Sequence, residues 1–163
     1  MRRDQREREF TEFFAARAPA LRRTAYVVVR DWHVAEDLTQ QALAKLYVAW
    51  PRVREDTRMA YARQVVVNEC LSHLRRHRPE TPTANLPDRA VHDPVVREDL
   101  GRAIAVLPPR QRAIVALRFL EDLPVSEVGR LLGIADGTVK SQTNRALTTL
   151  RHHLPTLTLE EIR

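Results

Sequence analysis

The sequence predicts an all-α protein made of two small helical domains joined by a flexible linker, and three observations carry that prediction. Apolar residues recur at intervals of three and four along most of the chain, without the sustained polar/apolar alternation of a half-buried strand. Glycine is scarce, with four residues in 163, so tight hairpin turns have few sites. Proline concentrates in one stretch, "PETPTANLPDRAVHDPVV" at 79–96, which holds four prolines and no helical stripe.

Taken in order, residues 8–18 and 20–30 read as two helices parted at Pro19, because an interior proline removes an amide donor and clashes with the preceding turn. A third helix runs from about 33 to 50, capped by Asp31 and ended by Pro51. On it Leu38, Ala42, Leu46 and Ala49 share a face that Leu43, Tyr47 and Trp50 widen, and Glu36, Asp37, Gln40 and Gln41 lie outside. A fourth helix, 57–77, is expected to bury Tyr61, Val65, Leu71 and Leu74. These elements form one bundle over 8–78, followed by a linker at 79–95. The second domain, 96–153, carries helices at 96–107, 109–120, 124–132 and 137–152, punctuated by "LPPR", "EDLP" and "LGIAD". The tail "TLTLEEIR" is too short for a further domain.

Composition bounds the function. A hydrophobic share of 44% can build a core, and a net charge of +6 points to an acidic partner, most often nucleic acid. No apolar run reaches the roughly 20 residues that span a bilayer, and the start "MRRDQREREF" is charged, so a cytoplasmic protein without membrane insertion is expected. The one cysteine, Cys70, has no internal disulfide partner and reads as a small core residue. Lysine stands only at 45 and 140, so arginine supplies nearly all the positive charge, consistent with a GC-rich bacterial coding bias.

Enzymatic chemistry finds no support. The sequence has no phosphate-cradling glycine loop, no serine elbow and no pair of carboxylates that can be placed together in a core. His73 and His77 have the spacing of a helical zinc pair, but Arg75 and Arg76 between them would repel a cation. No metal and no cofactor is called for, and the chain is expected not to be an enzyme.

The segment "GTVKSQTNRALTTLR" at 137–151 is the most informative. At about 100° per residue, Val139, Thr143, Ala146, Leu147 and Leu150 form a narrow packing stripe. Ser141, Arg145 and Thr148 fall opposite it, with Lys140, Asn144 and Arg151 on one shoulder and Gln142 on the other. Upstream, "VSEVGRLLGI" makes a short helix through Val125, Val128, Leu131 and Leu132, closed by Gly133. That pattern is a helix-turn-helix whose second helix, capped by Asp136 or Gly137, enters a major groove. Lys140, Ser141, Asn144 and Arg145 are the candidate base readers, since arginine pairs with guanine and asparagine with adenine. Amides at the helix start, near Thr138, suit a phosphate.

The chain as a whole resembles the extracytoplasmic-function sigma factors of bacterial RNA polymerase, over roughly residues 8–153. "AEDLTQQALAKLYVAW" resembles the sigma region 2 helix that docks on polymerase, "YARQVVVNECLSHLRRHR" the segment that reads the promoter −10 element, and "LPPRQRAIVALRFLEDLPVSEVGRLLGIADGTVKSQTNRAL" sigma region 4. The wording "VAW" followed by "YARQVVVN", with "GTVKSQT", is most similar to the actinobacterial SigE-type subgroup. The resemblance implies that Asp37, Leu38, Gln40 and Gln41 occupy positions that engage the β′ clamp helices of core RNA polymerase, although Gln41 replaces a common glutamate. It places Asn68 where a flipped −10 base is read, with Arg63, Arg75, Arg76 and Arg78 as a cationic surface for phosphates. It assigns Lys140, Ser141, Asn144 and Arg145 to the −35 element; Gln142 and Leu147 stand where arginine is frequent. It also implies contact with the polymerase β flap, promoter DNA as ligand, and an anti-sigma factor as a possible antagonist. The linker at 79–95 could reach roughly 55–60 Å when extended, beyond one DNA turn of about 34 Å. The rival expectation is a helix-turn-helix regulator that binds an operator without polymerase.

Overall fold

The computed structural model describes residues 2–77 and 98–154. The expected linker at 79–95, Arg78 and the carboxy-terminal tail lie outside the described residues. Every regular element among the described residues is helical. The chain divides into two compact units, with the division between Glu80 and Thr81.

The first unit contains α1 (Arg3–Val29), α2 (Trp32–Ala49), a 3-10 turn (Glu55–Thr57) and α3 (Arg58–Arg76), and each of the three α-helices packs on the other two. The break expected at Pro19 is absent, since α1 runs unbroken through it. Both halves of α1 are held by the same neighbours. Ala18, Leu21, Ala25 and Val28 are buried in the three-helix core, and farther toward the amino terminus Phe10 and Phe13 pack edge-on against Trp50 at 5.3 and 5.4 Å. That packing outweighs one lost hydrogen bond and a local clash, about 3 kcal/mol of intrinsic penalty. Arg30 then ends the helix in the left-handed region at φ 59°, and its amide donates to the Tyr26 carbonyl.

Asp31 caps α2 as expected, accepting from the Val34 amide at 3.1 Å. Leu38, Ala42, Leu43, Leu46 and Trp50 are buried, while Asp37, Gln40 and Gln41 are exposed. The buried stripe of α3 is Ala62, Val66, Val67 and Cys70. It is turned from the expected one: Tyr61 is 36% exposed, and Val65, Leu71 and Leu74 are only half-buried. No inward side chain is larger than valine, and the larger ones flank that stripe.

Burial pushes the Cys70 thiol up to about 12, from an ordinary 9.0. Its folded value is raised, so the associated stability is complete below pH 9 and falls as pH rises from there toward 12. At pH 8 Cys70 is expected to resist alkylation in the native protein and to react fully in denaturant. Mass spectrometry of iodoacetamide-treated samples checks this; rapid native labelling would show that the α3 face opens.

The second unit contains α4 (Glu98–Ala105), α5 (Pro109–Val115), a π-turn (Ala116–Leu120), α6 (Val125–Leu132) and α7 (Asp136–His153). The expected continuous helix over 109–120 therefore changes pitch halfway. The Glu121 amide reaches back to the Ala116 carbonyl at 3.0 Å, Arg118 Nη1 donates to the Leu123 carbonyl at 2.7 Å, and Asp122 adopts φ 52°. The core joins Leu100, Ile104 and Leu107 with Ile114, Leu117 and Val128 and the inner face of α7.

Candidate nucleic-acid interface

Helices α6 and α7 meet across a turn that one glycine makes possible. Gly133 closes α6 in the left-handed region at φ 67°, with its amide on the Gly129 carbonyl. The Ile134 amide donates to the same carbonyl at 2.9 Å. The turn folds back so tightly that a Cβ at Gly129 would stand 2.7 Å from the Ile134 carbonyl oxygen and 3.2 Å from Asp136 Oδ1. Sequence reasoning singled out Gly133 and passed over Gly129, because a glycine mid-helix carries no local signal that another backbone lies against it.

The cap expected at Asp136 or Gly137 is not found. Helix α7 begins at Asp136, the N-cap position is Ala135, and no side chain caps it. The Val139 amide bonding to the Ala135 carbonyl starts the helix one residue earlier. Asp136 then sits in the first turn, where the helix dipole favours a carboxylate.

The buried face of α7 is Val139, Thr143, Ala146, Leu147 and Leu150, the stripe expected from periodicity. Thr143 satisfies its hydroxyl on the Val139 carbonyl at 2.7 Å. Lys140, Ser141, Asn144 and Arg145 are exposed together, with Thr148 and Arg151 beyond them, and Thr138 is half-buried at the amino-terminal end. From 137 to 153 the helix has no acidic residue, so this face offers cations and hydrogen-bonding groups without internal neutralisation. Gln142 is apart from these. It is half-buried, and its Oε1 accepts from Gln111 Nε2 of α5 at 3.0 Å.

In the first unit Asn68, Arg75 and Arg76 are exposed on α3, and Arg63 is half-buried. Arg75 Nη2 also donates to Ser72 Oγ at 3.0 Å. Glu69, next to Asn68, forms an ion pair with Lys45, which ties α3 to α2. His73 and His77 stack at 4.2 Å between ring centroids, and burial first, then the neighbouring His77, holds His73 below the ordinary imidazole value. No metal-binding group of side chains occurs among the described residues.

On α2, Asp37, Gln40 and Gln41 point outward and Leu38 is buried beneath them. Gln40 lies on the rim of an open groove of about 390 Å³ between α1 and α2, whose apolar walls include Phe10, Phe14, Leu43 and Tyr47. None of the described helices is long and apolar enough to cross a membrane.

Residues 13–80 match the family Sigma-70 region 2 and residues 103–152 match Sigma-70, region 4. The chain is 40% identical to the RNA polymerase sigma-E factor of Streptomyces antibioticus over 93% of its own length and 88% of that protein's. It is 39% identical to the RNA polymerase sigma-E factor of Streptomyces coelicolor, over 90% and 86%. The ECF RNA polymerase sigma factor SigM of Mycobacterium tuberculosis is 32% identical, over 86% and 74%. The sigma factor RpoE of Bartonella quintana, solved in complex with the anti-sigma factor NepR, shares the fold at a TM-score of 0.74 and 22% identity, over 92% and 99% of the two chains. With two sigma-70 regions in order, an all-helical fold and this kinship along nearly its whole length, the chain belongs to the sigma-70 family of RNA polymerase sigma factors, among its SigE-type extracytoplasmic-function members.

Proposed function

We propose that this sigma factor divides promoter reading between its two units, 8–78 and 96–153, with 79–95 as the tether. Helix α7 reads the −35 duplex through Lys140, Ser141, Asn144 and Arg145, with a phosphate held near Thr138. Asn68 takes a flipped −10 base, and Arg63, Arg75 and Arg76 hold the backbone around it. Asp37, Gln40 and Gln41 meet the β′ clamp helices of core polymerase, with Leu38 supporting them from beneath. The second unit meets the β flap. The factor works in the cytoplasm, without catalysis of its own, and an anti-sigma factor is a possible antagonist.

The observation that carries this proposal is the division of α7: a narrow inner stripe holds it in the fold, and after Asp136 an outer face with cations and no further acid is left to solvent. The −10 and polymerase assignments rest on the family resemblance and on the exposure of Asn68, Asp37, Gln40 and Gln41.

Run-off transcription with actinobacterial core polymerase over a genomic fragment library tests it. Transcripts that depend on the protein and share spaced −35 and −10 motifs are expected. Specific binding to a palindromic site by the protein alone, without such transcripts, would overturn it. On a promoter found in this way, Arg145→Ala is expected to remove about 1–3 kcal/mol of discrimination, flattening preference at one −35 position. An equal loss on every −35 sequence would make Arg145 a phosphate contact instead.

A further inference from the structure

We propose that Gln142 and Gln111 form a positioning brace that sets the rotation of α7 against α5, and that Gln142 itself touches neither a base nor a phosphate. This rests on the −35 role assigned to α7 above. Gln142 stands within the reading segment, flanked by Ser141 and followed by Asn144 and Arg145, yet its side chain is turned inward onto Gln111 Nε2 at 3.0 Å.

The need for such a brace follows from what else holds α7. Val139, Ala146, Leu147 and Leu150 bury apolar surface, and apolar burial is non-directional. Thr143 spends its hydroxyl within its own helix. Contacts of that kind fix how deeply α7 sits, and the Gln111–Gln142 hydrogen bond adds a directional restraint on its rotation. A hydrogen bond prefers a narrow range of distance and angle, and each residue along a helix turns by about 100°, so a modest roll of α7 re-aims every exposed side chain at once. Helix α5 is a firm anchor. It starts at Pro109, and the buried Arg112 donates to the Leu107 carbonyl at 2.8 Å.

The test uses reconstituted holoenzyme on a cognate promoter and on a library randomised across the −35 element. Gln142→Ala and Gln111→Ala are each expected to lower transcription about threefold to tenfold, the range of one net hydrogen bond, and the double variant to be no worse than either single one. The loss should spread over all −35 positions, and the dependence of promoter binding on salt should keep its slope. A neutral Gln111→Ala would overturn the brace. So would flattening at a single base position by Gln142→Ala, or a salt slope shallower by about one. Thermal melts accompany each assay, and a loss that tracks only the unfolded fraction would also overturn it. The salt bridge offered by Gln111→Glu with Gln142→Lys is expected to restore transcription toward the parent level. If parent holoenzyme transcribes without any −35 preference, the −35 role of α7 fails, and the brace fails with it.

Discussion

Trp50→Ala is expected to destabilise the first unit by about 3–5 kcal/mol, the range for removing a large buried aromatic. Trp50 is 1% exposed and sits where three elements converge. Phe10 and Phe13 of α1 pack on its ring edge-on, and the Arg58 guanidinium of α3 lies 3.8 Å over its centroid, with Glu9 held to Arg58 at 3.5 Å. Removing the ring leaves a cavity and strands a half-buried guanidinium over it. Urea denaturation followed by far-ultraviolet circular dichroism would measure the change. A loss under 1 kcal/mol would mean that the amino-terminal half of α1 contributes little to the fold.

Gly129→Val is expected to destabilise the second unit by about 3 kcal/mol or more, and Gly129→Ala by about 1–3 kcal/mol. The sign is what matters. At an ordinary exposed helix position, glycine to alanine would gain up to about 1 kcal/mol. Here the added carbon meets a backbone carbonyl oxygen at 2.7 Å, which has no flexible end to swing aside. Relief requires the Gly133–Ile134 turn to move, and α7 starts directly after it. Both variants should therefore lose −35-dependent transcription at temperatures where the first unit remains folded. If alanine stabilises the protein, the close approach of the turn is not a constraint in solution.

Much of the fold was legible in the sequence where one periodicity governs one surface. The inner stripe of α7, Val139, Thr143, Ala146, Leu147 and Leu150, follows directly from its periodicity, because polar and charged residues fill the rest of the helix and leave one face to bury. The stripe of α3 differs from the expected one because side-chain size is a poor guide to which face packs: Ala62 and Cys70 are buried, while Tyr61 is exposed and Leu74 half-buried. Pro19 misled for a related reason. Local chemistry predicts a break, and tertiary packing on both sides of the proline outweighs it. The exposure of Asp37, Gln40 and Gln41 follows from the periodicity of α2, whose apolar stripe turns them outward. The inward turn of Gln142 was not legible, since a polar residue on a shoulder can face solvent or a neighbouring helix, and only the position of Gln111 decides between them.

The division of α7 into an inner stripe and an outer face bears on how such a protein changes over generations. Lys140, Asn144 and Arg145 are exposed, and substitutions at surface sites of that sort usually move stability by no more than about 0.5 kcal/mol. On the proposed reading of that face, mutation can therefore explore new target sequences on one side of the helix while the other side keeps the fold intact. A duplicated gene could drift toward a different set of promoters without passing through an unstable intermediate.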